Sequence, residues 1–309
     1  MLTPAWHPSD VIWLGEPAGH DVQLTGAKAA HLSRLAASHR VPPGFCLTAE
    51  AHRRAAAQGC LTPQLRDALA VSYAALAERT GHAEPCVAVR SSAIDEDGPT
   101  ASFAGQHDTY LNIAGLEALV DAVERCWASA RAEQVLVYRR QHGLALDDMR
   151  LAVLVQQLAP ADVSMVMFSA NPVTGARDEL LITASWGLGE SIVGGTVTPD
   201  SWRISKLDLE PLETRLGAKQ RMTVAIPGGT REVDVPRLLR GQLVLSAQQV
   251  REVAQLGLAL EAQMGWPVDV ECAYARGELY LLQCRPITTL GGTRALKAAT
   301  PAGLSAVVA

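Results

Sequence analysis

The sequence predicts an α+β fold arranged in two lobes, and three observations predict it. The chain has 309 residues, more than one small domain needs and enough for two lobes sharing a cleft. Hydrophobic residues make up 48% and charged residues 19%, so a large core is available and disorder is excluded. Segments with apolar residues at helical spacing are interleaved with short alternating segments typical of strands.

In order, residues 10–25 read as a short strand and turn. A helix follows over 28–37, with Ala29, Leu32, Leu35 and Ala36 on one face and Gly26 just before its start. Val41-Pro42-Pro43-Gly44-Phe45 is a rigid turn, because two prolines restrict the backbone. Thr48 is placed to cap the next helix. A third helix covers about 63–79. Residues 86–90 then form a strand that runs into a long loop of small and polar residues, 91–106. One or two helices are predicted over 116–138, where Leu116, Leu119, Val120, Val123 and Trp127 trace a core-facing stripe.

Strands are expected at 151–157, 165–169 and 180–184, with a turn at Asn171-Pro172-Val173-Thr174-Gly175. Glycines cluster at Gly187, Gly189, Gly194 and Gly195. Short strands fill 201–235, and a helix spans 246–264 behind a Ser246/Gln249 capping box. A hairpin follows, because 268–274 and 279–285 both alternate around Arg276-Gly277. A three-residue connection, Arg276 to Glu278, sets Glu271 directly opposite Gln283, whereas a two-residue connection sets it opposite Leu282. The longer turn is therefore expected. Residues 1–290 are read as one domain of two or more subdomains, and 291–309 as a linker or tail.

The net charge of −5 gives no basic footprint for nucleic acid. No apolar run is long enough for a transmembrane helix, and the N-terminus has no signal-peptide pattern, so a cytoplasmic setting is expected. The six cysteines form no CxxC pair and read as mostly buried thiols of a reducing compartment. GxSxG and HExxH motifs are absent.

Several residues carry possible chemistry. Lys28 opens a helix after Gly26, where backbone N–H groups and a lysine attract anions; the same pattern also serves as a plain helix start. Arg90 ends a strand beside a serine-rich loop, which suits phosphate oxygens or an ion pair with Asp95, Glu96 or Asp97. The segments 101–106 and 186–190 are small enough for close backbone approach to a phosphate. Glu190 fits a structural role, a ribose contact or a place beside the phosphates. Glu271 and Gln283 are hard oxygen donors suited to Mg²⁺ on a nucleotide, or else members of an exposed strand face, with Arg285 two residues on.

Together, Gly26-Ala27-Lys28-Ala29-Ala30-His31-Leu32, Val41-Pro42-Pro43-Gly44-Phe45, Val89-Arg90-Ser91-Ser92-Ala93, Ala101-Ser102-Phe103-Ala104-Gly105-Gln106, Asn171-Pro172, Gly187-Leu188-Gly189-Glu190, Pro199-Asp200 and Leu282-Gln283-Cys284-Arg285-Pro286 occur in that order. This series resembles the N-terminal nucleotide-binding domain of the phosphoenolpyruvate synthase and pyruvate phosphate dikinase family, in the version found in rifampicin phosphotransferase-like dikinases. The resemblance implies an ATP-grasp type fold, with ATP and Mg²⁺ as ligands. It implies phosphate contacts and catalytic roles for Lys28, Arg90 and Arg285. A loop over the phosphates would comprise Ser102, Ala104, Gly105 and Gln106. Gln156, Gln157 and Leu158 would line the adenine side, Glu190 would lie in the cleft, and Glu271 and Gln283 would hold the metal.

The family splits ATP to AMP and passes a phosphoryl group to a histidine. No Ser-His or Thr-Ser-His carrier motif beside glycines occurs in this chain, so the implied partners are a phosphohistidine carrier and an acceptor-binding domain on another domain or chain. A stand-alone small-molecule kinase and a non-catalytic nucleotide-binding protein are the alternatives. The sequence departs from the family pattern at Ala27, where a glycine is usual, at Gln134, near which an arginine is usual, and at Met165, a bulky residue expected to reshape the pocket.

Overall fold

The computed structural model describes residues 7–94, 97–98, 101–102, 109–141 and 150–291. The chain divides into two compact units, Met1–Leu158 with Ile226–Gly229, and Ala159–Ala225 with Thr230–Ala309.

The first unit contains β1 (Val11–Trp13), α1 (Val22–Leu35), β2 (Gly44–Leu47), α2 (Ala49–Gln58), α3 (Pro63–Thr80), β3 (Val87–Ala93), the two-residue strands β4 (Asp97–Gly98) and β5 (Ala101–Ser102), β6 (Thr109–Ile113), α4 (Leu116–Ser129), α5 (Glu133–Gln141) and β7 (Leu151–Gln157). An antiparallel sheet orders the strands β1-β2-β7-β3-β6. Alternation along the strands assigns their faces. Phe45, Leu47, Val87, Val89, Val153 and Val155 pack on one side against α2, α3 and α4, where the Leu119, Val120, Val123 and Trp127 stripe is core as expected. Thr48 caps α2 by accepting from Ala51 N at 3.3 Å.

On the opposite face lies α1. Asp21 caps it, about two turns before the apolar spacing begins, so the region read as strand and turn already holds the helix start. At Gly26 the helix breaks, with φ +73° and ψ 168°, and it resumes at the segment that the spacing predicts.

The second unit contains β8 (Val163–Phe168), β9 (Glu179–Trp186), α6 (Glu190–Val193), β10 (Asp200–Ser205), β11 (Pro211–Arg215), β12 (Arg221–Ile226) and β13 (Gly229–Asp234) apart from their end residues Ile226 and Gly229, α7 (Arg237–Arg240), α8 (Ala247–Met264), β14 (Val268–Ala275) and β15 (Glu278–Pro286). Six strands form an antiparallel sheet in the order β11-β10-β9-β8-β14-β15. The capping box at Ser246 and Gln249 starts α8 as expected. This helix covers one face of the sheet, where Val253, Ala254 and Leu260 are buried and Gly257 sits against Met167. On the other face Ile192 of α6 and Val197 pack on Val166 and Phe168.

The hairpin turn differs from expectation. It has two residues, Arg276 and Gly277, both at positive φ (+53° and +80°), a geometry that matches the twist of the flanking strands. Glu271 nevertheless pairs with Gln283, because the register shifts between Glu271 and Cys272 and inserts Leu282 as an extra residue. The predicted pairing is therefore present, produced by a bulge instead of a longer turn.

Of the six cysteines, Cys46, Cys126, Cys272 and Cys284 are buried, while Cys60 and Cys86 are exposed. Burial pushes the Cys272 thiol up to about 12, and that of Cys46 higher still, so neither is a thiolate at neutral pH. Among the described residues no helix is long and apolar enough to cross a membrane.

Candidate functional site

In the first unit the geometry starts at Gly26. An added Cβ there would lie 2.0 Å from the Ser92 carbonyl oxygen, and its φ of +73° also favours glycine. The break lets the second segment of α1 start against β3. Ala29 N donates to Ser92 Oγ at 3.2 Å, satisfying one of the amides that a helix start leaves open. Lys28, half-buried, donates from Nζ to Ser91 O at 3.3 Å. Ala27 is buried in the same contact region.

Arg90, buried at 9% exposure, belongs to the sheet face on which α1 packs, and its cross-strand partners are Leu154 and Thr109. Gln156 lies on that face as well, opposite Ala88 and Gly44. The structure thus brings Lys28, Arg90 and Gln156 to one side of one sheet. The Gln156 amide donates to Pro42 O at 3.1 Å, and Gln157 N donates to Pro43 O at 2.8 Å. Leu158 N donates to Cys86 O at 2.9 Å. The proline turn predicted as rigid therefore fixes the end of β7. Ser102 pairs with Asp97 in the β4–β5 ladder. Ala104, Gly105, Gln106, Asp95 and Glu96 lie outside the described residues.

In the second unit, β14 and β15 set two residue pairs side by side on one face. Glu271 is opposite Gln283, and Asp269 is opposite Arg285. Arg285 Nε donates to Asp269 Oδ2 at 2.8 Å. Gln283 is only 3% exposed, and among the described residues its Oε1 has no hydrogen-bond partner. Glu271 is half-buried, so this is not the exposed strand face left open by the sequence. Burial raises the Asp269 carboxyl to about 6 despite the opposing pull of Arg285, and the neighbouring Glu271 charge adds to the rise.

A buried amide oxygen lacking a partner, directly across from a carboxylate, is a pair of hard donors. No group of three or more His, Cys, Asp or Glu residues suited to a metal occurs among the described residues. One carboxylate and one amide fit a small divalent cation that takes its remaining ligands from phosphate and water.

Glu190 opens α6, which packs on this same face through Ile192 against Val166, the cross-strand neighbour of Glu271. The glycine segment before it has a different use from the one its composition suggests. Gly187, at φ +80°, approaches Thr223 so closely that a Cβ would lie 2.3 Å from Thr223 O. Leu188 N donates to Thr223 O at 2.9 Å, and Ser164 Oγ donates to Gly187 O at 2.7 Å. Here the small residue accommodates a neighbouring strand. Met165 also departs from expectation. It is 1% exposed and alternates to the α8 side, away from Glu271, so it does not shape the Glu271 face.

Two features escaped sequence reasoning. Asp269 sat in the hairpin without an assigned role. Lys219 and Asp200 form an ion pair in which both side chains have 0% exposure. Asp200 also accepts from Gly217 N at 2.7 Å and Val244 N at 2.8 Å, and Lys219 Nζ donates to Gly217 O at 3.0 Å. Only the Pro199-Asp200 motif hinted at the acid, and nothing in the sequence singled out Lys219.

Residues 53–303 match the family model described as "Pyruvate phosphate dikinase, AMP/ATP-binding domain". The chain belongs to this family. Arg90, Glu190, Glu271, Gln283 and Arg285 fall within the residues matched by the dikinase-domain model, and Lys28 precedes them. Relatives match over most of the chain. A probable phosphoenolpyruvate synthase of Methanocaldococcus jannaschii is 38% identical over 317 residues, covering 91% of this chain and 27% of the relative. Phosphoenolpyruvate synthase of Pyrococcus furiosus is 34% identical, covering 90% of this chain and 44% of the relative. Rifampicin phosphotransferase of Streptomyces sviceus is 36% identical, covering 91% of this chain and 36% of the relative. The chain spans less than half the length of each of these dikinase-family relatives. Among solved structures, the D-alanine-D-alanine ligase of Coxiella burnetii is similar at a TM-score of 0.34 and 13% identity, over 84% of this chain and 46% of that one.

Proposed function

We propose that this chain binds Mg-ATP in an ATP-grasp type arrangement and passes a phosphoryl group to a histidine carrier on a separate domain or chain, with the acceptor bound elsewhere again. The observation that carries the proposal is the Glu271–Gln283 pair, in a nucleotide-binding family domain, whose buried amide oxygen has no hydrogen-bond partner among the described residues.

In this reading Glu271 and Gln283 hold the magnesium ion. When bound, Mg²⁺ neutralises charge on the phosphate oxygens and fixes their geometry. Lys28, Arg90 and Arg285 supply fixed positive charge to the phosphates. Arg285 acts on the group being transferred, where charge develops as the bond to its leaving oxygen breaks. Arginine presents a planar fork that matches phosphate oxygens, and lysine supplies a point charge. Gln156, Gln157 and Leu158 line the adenine side, and Glu190 sits beside the nucleotide. The histidine takes the β-phosphoryl group, leaving AMP, and the γ-phosphoryl leaves to water or phosphate. The phosphoenolpyruvate synthase and rifampicin phosphotransferase relatives suggest the two kinds of system in which such a chain would work.

Calorimetric titration of the chain with ATP, with and without Mg²⁺, tests the reading. Binding that requires Mg²⁺ and weakens in Glu271→Ala supports it. AMP produced only when a carrier domain is added supports the dikinase class, and ADP produced by the chain alone supports a direct kinase. A folded chain that binds no ATP overturns the proposal.

A further inference from the structure

We propose that Asp269 is the positioning residue for Arg285, setting the guanidinium plane at which the transferred phosphoryl group is met; this rests on the Mg-ATP reading above. Asp269 and Arg285 are direct cross-strand partners, one residue pair along from Glu271 and Gln283. Their bond, Arg285 Nε to Asp269 Oδ2, is 2.8 Å long. It uses the guanidinium nitrogen nearest the chain, so it fixes the plane of the fork. Asp269 is 7% exposed, which removes the competing water that loosens surface ion pairs.

Two arguments favour a role in orientation. A buried ion pair contributes little net stability, because both charges lose their hydration. This pair nevertheless stands on the same strands and the same face as the two proposed metal donors. An arginine also has many rotamers, and a phosphate site needs one of them. A carboxylate holds that rotamer by a charge-assisted bond, stronger than an amide makes. Asp269 itself touches no nucleotide in this scheme.

The test is titration with ATP and with AMP, in Mg²⁺, of wild type, Asp269→Ala, Asp269→Asn, Arg285→Ala and the Asp269→Ala/Arg285→Ala double variant. AMP lacks the phosphates that Arg285 is proposed to meet and so reports on everything else. Asp269→Ala is expected to weaken ATP binding about tenfold, with AMP binding within about twofold of wild type. Asp269→Asn should fall between the two. In the Arg285→Ala background Asp269→Ala should have no further effect, since its action runs through a side chain already removed.

Equal losses for ATP and AMP would mark a structural residue and overturn the inference, as would additive losses or an unchanged ATP affinity. Should Asp269→Ala fail to fold, as judged by thermal melting, Asp269→Asn gives the same comparison. Wild-type protein that binds AMP and ATP equally well defeats this inference alone. Wild-type protein that binds neither defeats the Mg-ATP reading and the inference with it.

Discussion

Glu271 stands directly opposite Gln283 because β15 carries one residue more than its two-residue turn requires. The bulge at Leu282 turns what would be a mixed polar and apolar pairing into a matched pair of oxygen donors. It also leaves Gln283 Oε1 buried with no hydrogen-bond partner among the described residues.

That orphaned oxygen sets stability against binding. Leaving a buried acceptor unsatisfied costs about 1–3 kcal/mol. Gln283→Met keeps most of the volume and removes the acceptor. It should raise unfolding stability by about 1 kcal/mol in urea titration and lose at least about tenfold in Mg²⁺-dependent ATP affinity. A variant with lower stability and unchanged affinity would show that Gln283 is structural.

Gly26 is required by geometry. Gly26→Ala places a Cβ 2.0 Å from Ser92 O and adds positive-φ strain. A destabilisation of about 3 kcal/mol is expected, since neither backbone segment has a flexible end to give way. Ala27→Gly, the residue more usual in the family, should stay within about 1 kcal/mol of wild type. Chemical denaturation of both variants checks the contrast.

Lys219→Met leaves Asp200 charged at 0% exposure with its cation gone. The expected loss is about 3–5 kcal/mol in urea unfolding. Asp200→Asn combined with Lys219→Met should recover part of it, because the buried charge is then removed as well. If the single variant is as stable as wild type, the pair is not the structural hub that its four bonds describe.

On the first unit, Arg90→Ala should weaken ATP binding by about 1.5–3 kcal/mol, the range for a hydrogen bond to a charged group. Lys28→Ala should act in the same direction. Titrations at rising ionic strength should narrow the gap between wild type and each variant, because salt screens the lost attraction. Equal ATP affinity in a folded Arg90→Ala protein would remove Arg90 from the site.

What was legible in the sequence was local. Apolar spacing located α3, α4 and α8, and hydroxyl caps located the starts of α2 and α8, because each signal depends on residues within one or two turns. The Glu271–Gln283 pair was also legible from alternation, although the turn length was not, since a bulge leaves no local mark. Illegible features depended on distant chain. Gly26 meets Ser92, and Gly187 meets Thr223, contacts that no residue beside either glycine in the sequence announces. Lys219 was not singled out because nothing near it in sequence announces Asp200.

The anchoring of Lys28 has a consequence for affinity. Its ammonium is already tied to Ser91 O, and its helical segment is tied to Ser92 through Ala29 N. A free lysine side chain gives up about 1.5–2 kcal/mol of rotational freedom when it is immobilised. In this chain much of that freedom is lost during folding, before any anion arrives. The first turn of the helix and β3 then act as a single stiff block, so in the proposed Mg-ATP reading Lys28 and Arg90 meet the phosphates at a fixed spacing and select anions by size as well as by charge.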